Sequence, residues 1–144
     1  LSTAILIKKK INMKIIKFKS FKKKSGTLIP FSIKKNFPIK VKRIFLINGK
    51  KNFTRGEHAH KKCSQFLFPV LGKIKIECTS VEGKSKFFLN YDKKEGYLIK
   101  PKTWLKIKFL TKNAILLVAC DKEYNFNDYI ENYKDFLKII RKKT

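Results

Sequence analysis

Arginine is scarce in this chain: Arg43, Arg55 and Arg141 are the only three among 36 basic residues. A protein that reads nucleic acid usually spends arginine on phosphate forks and base edges. No helix-turn-helix, RNP or zinc-finger pattern accompanies the charge here, so specific nucleic-acid binding is not expected. Acidic residues are few as well, 10 in all, and the formal net charge is +26. With lysine, isoleucine, phenylalanine and asparagine all abundant, as AT-rich codons produce, that charge reads as a solvated surface that attracts anions at long range. Cysteine is limited to Cys63, Cys78 and Cys120. An odd number without CxxC spacing excludes a disulfide framework and points to reduced thiols in a cytoplasmic protein. No apolar run approaches the ~20 residues of a membrane span. The short apolar run of residues 1–7 precedes its lysines, the reverse of a secretory signal. A more ordinary start lies at Met13, so residues 1–12 are expected to be an upstream or non-native extension and 13–144 a single domain.

What is present is the composition of a folded protein, 43% apolar and 13% aromatic, long enough to bury one core. The chain after Met13 reads as short strands near 14–18, 27–31, 40–48, 56–61, 65–71, 73–79, 86–90, 97–99, 105–109 and 114–120. Lys73-Ile-Lys-Ile-Glu-Cys78 alternates as a half-exposed strand does. Residues 114–120 are apolar throughout, as in an internal strand, and Pro69 predicts an edge or a bulge. Turn chemistry at Asn48-Gly49, Glu82-Gly83 and 92–96 separates the strands. Near the end, Tyr129, Ile130, Tyr133, Phe136, Leu137 and Ile140 share one helical face. Asn127 or Asp128 is the expected N-cap, and Lys138, Arg141, Lys142 and Lys143 suit the C-terminal end of the dipole. The expected fold is all-β, a sandwich, jelly roll or barrel, with a C-terminal helix.

Arg55-Gly-Glu-His-Ala-His60 concentrates the chemistry. Two histidines two positions apart on a strand point to the same side. Beside a cation and the apolar wall of residues 66–71, two imidazoles titrating near neutrality suit proton transfer. Cys63 lies close to His60, but no further clustered ligand completes a metal site.

With Gln65 and Gly72 following at fixed spacing, the His58/His60 segment resembles the first cupin motif, and Gly96-x4-Pro101-x2-Trp104 resembles the second. A cupin is a double-stranded β-helix, or jelly roll, which agrees with the strand count. Typical metal-binding cupins use three histidines and a glutamate; the matching positions here are His58, His60, Gln65 and Leu105, a set too poor to hold a catalytic metal. No metal or cofactor is therefore expected.

Arg55-Gly-x-His-Ala-His-Lys-Lys62, Gln65, Pro101-x-x-Trp104 and Tyr124-x3-Asp128-Tyr-Ile130-x2-Tyr133-x2-Phe136 together resemble the nucleotide-sugar 3,4-ketoisomerase branch of the cupins, the WxcM-like domains. The match runs from about Gly26 to the end. The resemblance implies a metal-independent enzyme, usually a homodimer with exchanged N-terminal strands. It would act on dTDP-4-keto-6-deoxyglucose in making deoxysugars for surface glycans such as lipopolysaccharide O-antigen. Moving a ketone from C4 to C3 needs a base for the C3 proton, an enediol and a proton for C4. His58 and His60 are the candidates for base and shuttle, Arg55 and Lys61 for the diphosphate, and Gln65, Arg43 and Trp104 for further substrate contacts. At four positions the chain departs from the family: Ser25, Phe45, Leu46 and Leu105 stand where a cation, two tyrosines and a histidine are usual. They leave open a second function, a relative that binds a nucleotide-sugar or a glycan-pathway enzyme without turnover.

Overall fold

The computed structural model describes residues 4–10, 13–35 and 37–142. The strands are β1 (Ala4–Lys10), β2 (Met13–Phe18), β3 (Phe21–Lys23), β4 (Gly26–Leu28), β5 (Arg43–Gly49), β6 (Thr54–His60), β7 (Gln65–Leu71), β8 (Lys73–Ser80), β9 (Gly83–Asn90), β10 (Glu95–Ile99), β11 (Trp104–Phe109), β12 (Ala114–Cys120) and β13 (Tyr129–Ile130). Among the described residues there is one α-helix, α1 (Tyr133–Arg141), after β13. The strands pair in a six-stranded sheet ordered β1-β2-β10-β7-β12-β5 and a five-stranded sheet ordered β13-β6-β11-β8-β9. Every pairing is antiparallel. This is the expected all-β jelly roll with a C-terminal helix.

The alternation of β8 is borne out: Ile74, Ile76 and Cys78 are buried while the residues between them are exposed or half-buried. These side chains meet Leu67, Leu116 and Val118 of the facing sheet in the main core, the interdigitation that holds two stacked sheets together. Strand β12 is internal, between β7 and β5, which is why it can be apolar on both faces. Pro69 lies beyond the last residue of β7 that pairs with β10, and the β7–β12 register slips between Leu116↔Pro69 and Ile115↔Leu71. The bulge at Val70 thus accommodates a residue without an N–H. Gly72 then turns the chain at φ +80°, where a Cβ would stand 2.9 Å from the Ala114 Cα.

Each sheet has a covered outer face. Ile29, Phe31, Phe37, Ile39 and Val41 from the long connection before β5 cover Phe18, Phe66 and Phe68, with Phe18 and Phe31 edge to face at 4.8 Å. The segment expected as a strand over 27–31 therefore divides. Gly26–Leu28 pairs with Phe21–Lys23 in a separate exposed hairpin, and the residues after it become this cover. On the other sheet, α1 lays Phe136 and Ile140 over Ala59, Trp104 and Ile130.

The helix begins later than its periodicity implied. Asn132 is the N-cap, its side chain accepting from the Asp135 N–H at 3.1 Å. Asp128 is engaged elsewhere, and Tyr129 and Ile130 pair with His60 and Ala59 as strand β13. Backbone pairing at a sheet edge has won over helical propensity there. Lys138, Arg141 and Lys142 do fall at the C-terminal end; Lys143 lies outside the described residues. Of the stretch 1–12, the structure describes Ala4–Lys10, paired antiparallel along β2, so this part of the expected extension is hydrogen-bonded to the sheet. Among the described residues, no helix is long and apolar enough to cross a membrane.

Candidate active site

Strand β6 carries the site and turns it inward. Gly56 and Glu57 both have positive φ, +87° and +57°, where the β6–β11 register slips between Leu105↔His58 and Lys106↔Gly56. A Cβ at residue 56 would stand 2.8 Å from the Leu105 carbonyl oxygen, so the bulge needs glycine there. Beyond it strict alternation resumes. Ala59 points outward beneath α1, while His58 and His60 share the inner face with ring centroids 5.2 Å apart.

The two histidines have different surroundings. His58 lines a cavity of about 570 Å³ together with Arg55, Gln65, Leu105, Tyr129 and Phe45. His60 is 5% exposed and opens only onto a small void of about 10 Å³ that it shares with His58, Cys63, Gln65 and Leu105. Its Nδ1 lies 3.0 Å from Asp128 Oδ2, and its Nε2 is buried without a partner. Asp128 also accepts from the Lys62 N–H at 2.8 Å and the Cys63 N–H at 3.3 Å. One carboxylate thereby ties the loop after β6 to the segment before β13. Burial lowers the pKa of both imidazoles. The Gly56 carbonyl and Glu131 oppose this at His58, and the Asp128 hydrogen bond opposes it at His60. Both rings are neutral at pH 7, the state a general base requires.

Arg55 stands on the cavity wall, and Gln65 reaches both the cavity and the small void. Arg43 lies deeper. Its guanidinium is 5.3 Å from the Phe45 ring and 5.5 Å from the Tyr124 ring, and Nη2 donates to Cys120 Sγ at 3.6 Å. Burial works against the guanidinium, but the Tyr129 phenol and nearby Cys120 more than offset it, and the pKa of Arg43 rises. Lys61 is an exposed turn residue whose N–H donates to the Asp128 carbonyl; its side chain does not line the cavity. Trp104 is placed apart from the histidines. It packs against Tyr133 and Phe136 at 5.1 and 5.5 Å and borders an outer cleft of about 890 Å³ with Glu57, Lys106 and Tyr133. That cleft is larger than the inner cavity, but only the inner cavity has an imidazole, His58, on its wall.

The departures from the resembling family are now located. Leu105, 3% exposed, pairs with His58 and lines the cavity. Phe45 packs against the main core at the cavity wall. Leu46 is 64% exposed, and Ser25 is exposed in the β3–β4 turn. The four positions that match a cupin metal set, His58, His60, Gln65 and Leu105, do converge on one void. An amide and an isobutyl group do not complete a first-row metal site. His60, Cys63 and Asp128 bring one donor atom each within 4.8 Å of one another, so a third clustered ligand, not expected from the sequence, does join His60 and Cys63; in this structure the Asp128 oxygens accept from His60, Lys62 and Cys63.

Two features of the site were missed at the level of sequence. Tyr129 sits over both histidines, 5.0 Å from the His58 ring and 4.4 Å from the His60 ring. Cys120 forms a thiol pair with Cys63. The contact with Cys63, with further bonds from Gln65 and Arg43, holds the Cys120 thiol below the ordinary range, while that same contact and burial push Cys63 up.

The family model described as "FdtA: WxcM-like, C-terminal" matches residues 11–141. The TDP-4-oxo-6-deoxy-alpha-D-glucose-3,4-oxoisomerase of Aneurinibacillus thermoaerophilus is 28% identical over 130 residues, 90% of this chain and 93% of that one. The crystal structure of QdtA, a sugar 3,4-ketoisomerase from Thermoanaerobacterium thermosaccharolyticum in complex with TDP, superposes with a TM-score of 0.85 at 34% identity, covering 92% of this chain and 96% of that one. A 3,4-ketoisomerase from Helicobacter canadensis matches with a TM-score of 0.84 at 31% identity, covering 92% and 99%.

Proposed function

The chain belongs to the FdtA family of WxcM-like C-terminal domains, and from that premise we propose that it is a nucleotide-sugar 3,4-ketoisomerase. Its substrate is a TDP-linked 4-keto-6-deoxyhexose, and it moves the keto group from C4 to C3 through an enediol. The observation that carries this reading is the placement of His58. A neutral imidazole faces a cavity large enough for a hexose, with Arg55 on the same strand.

His58 takes the C3 proton. The neighbouring ketone makes that proton acidic, and a base already neutral at pH 7 loses nothing to prior protonation. The electron pair moves into an enediol, a proton passes from O3 to O4, and C4 is protonated as C3 becomes the carbonyl. His60, backed by Asp128, relays protons behind His58 across the void the two rings share. Arg55 meets the diphosphate, where a guanidinium fork matches two phosphate oxygens. Gln65 borders the sugar end, Arg43 acts from behind the wall through Tyr129, and Trp104 and Lys61 act in packing and at the surface. Leu105 and Phe45 make the cavity drier than imidazole and phenol groups would, which strengthens each remaining electrostatic contact.

The molecule works as a homodimer on this reading. The β3–β4 hairpin is exposed along its length, and Phe21, Leu28, Ile44 and Leu46 present large apolar groups to solvent, as an arm exchanged with a second copy would. The cytoplasm, where nucleotide-sugars are made for surface glycans, is the location that fits reduced Cys63, Cys78 and Cys120.

The test is incubation with TDP-4-keto-6-deoxyglucose in deuterated buffer, followed by proton NMR. Formation of a 3-keto sugar with deuterium at C4 establishes the isomerase and gives the configuration at C4. Binding shifts without exchange would show a pocket that holds the nucleotide-sugar without turnover and overturn the assignment.

A further inference from the structure

We propose that Tyr129, and not His60, is the acid that delivers the proton to C4. The inference rests on the isomerase reading and deepens it. Isomerisation needs two proton-transfer groups at the sugar, one for C3 and one for C4. Of the two histidines only His58 lines the 570 Å³ cavity. His60 is withdrawn beneath it, with Nδ1 committed to Asp128. Three other side chains on the cavity wall belong to titratable types, Arg55, Glu131 and Tyr129, and the amides of Asn48 and Gln65 are too weakly acidic to protonate carbon. Arg55 does not give up its proton. Glu131 is exposed to solvent. The Tyr129 phenol carries a hydroxyl that can donate its proton.

Tyr129 is held for this task from three sides. Its backbone pairs with His60 on β6. Its ring lies 5.0 Å from the His58 ring and 5.8 Å from the Tyr124 ring. Arg43 is its cationic neighbour, itself fixed by Cys120 and by the faces of Phe45 and Tyr124. A guanidinium beside a phenol stabilises the phenolate that forms when the proton leaves. It also supplies in part what Phe45 and Leu105 lack.

The steps balance. His58 takes H+ from C3 and becomes imidazolium, and the C3–H electron pair forms the C3=C4 bond of the enediolate. After the proton has passed from O3 to O4, C4 accepts H+ from the Tyr129 hydroxyl, the C3 oxygen becomes the carbonyl, and the phenolate rests beside Arg43. The imidazolium then returns its proton to the phenolate, and both groups end as they began.

Tyr129→Phe keeps the ring and removes only the proton, so the test reads two rates in the same tube. With TDP-4-keto-6-deoxyglucose in deuterated buffer, the variant is expected to lose at least about a hundredfold in formation of the 3-keto sugar. It should still exchange the C3 hydrogen for deuterium within a few-fold of the unaltered protein. Persisting exchange itself shows that the variant is folded, binds substrate and retains His58. Isomerisation within a few-fold of the unaltered protein would overturn the assignment. So would equal loss of C3 exchange and isomerisation in a variant whose TDP affinity and Tm are unchanged. If the unaltered protein neither exchanges nor isomerises, the isomerase reading itself fails and takes this assignment with it, an outcome distinct from the other two.

Discussion

Asp128 Oδ2 lies 3.0 Å from His60 Nδ1 across 68 residues of sequence. The same carboxylate accepts from two N–H groups of the loop that follows β6. That side chain therefore fixes the inner imidazole, the loop and the entry to β13 together.

Replacing Asp128 by Ala should be costly for that reason. It leaves the exposed Lys62 N–H to water but strands the Cys63 N–H and an imidazole nitrogen, and each unsatisfied buried group costs about 1–3 kcal/mol. Urea unfolding should show a loss of about 3 kcal/mol. A loss below about 0.5 kcal/mol would show that the three hydrogen bonds are exchanged for water without cost.

The histidines give stability a defined pH dependence. Burial lowers both pKa values in the folded protein, while the unfolded chain titrates near 6.5. As pH falls below about 6.5 the unfolded state takes up protons that the folded state refuses, so stability falls until the folded pKa values are reached. Chemical denaturation at pH 5, 6 and 7 should show stability rising with pH, and a His58→Asn, His60→Asn double variant should flatten that slope.

His58→Asn should abolish turnover by a factor of about 100 or more and change stability by less than about 1 kcal/mol, since the side chain is only half-buried. In the unaltered protein the acidic limb of kcat/KM should lie below about 6.5, the ordinary imidazole value. A limb above that value would assign the base to another group.

Arg55→Ala should weaken TDP binding by about tenfold or more, the loss of a charge-assisted hydrogen bond worth about 1.5–3 kcal/mol. Lys61→Ala, at an exposed turn, should change it little. Isothermal titration at two salt concentrations separates the two, and equal losses would return Lys61 to the site.

Gly96→Ala tests the packing behind the cavity. A Cβ there would overlap the ring of Phe66, which is fully buried. Overpacking of this kind costs about 1–3 kcal/mol, readable as a lowered Tm. An unchanged Tm would mean that the Phe66 cluster yields.

Much of this molecule is legible in its residues. Strands β7 and β12 fall at the expected bounds of 65–71 and 114–120, because each is an apolar run closed by turn chemistry or by the end of a pattern. The pairing of His58 with His60 on one face follows from the period of two alone. That same period places Trp104 and Leu105 on opposite faces of β11. Once Leu105 faces His58, Trp104 must lie under α1, as it does. The expected substrate contact of Trp104 came from the motif, whereas strand parity places its ring against Tyr133 and Phe136.

Other features had no local signal. Tyr129 and Ile130 continue a helical pattern perfectly well, and only the free edge of β6 draws them into a sheet. The division of 27–31 between an exposed hairpin and a cover for the phenylalanine cluster depends on partners distant in the chain. Local chemistry in the sequence determined the strands, the paired imidazoles and the poverty of the metal set, because side-chain type and a period of two are properties of neighbours. Tertiary structure alone decided that His58 faces the cavity while His60 is withdrawn, and that Tyr129 and Arg43 meet beside them. These relations are set by the bulge at Gly56–Glu57 and by pairing between β6 and β13, contacts that exist only once distant segments have been brought together.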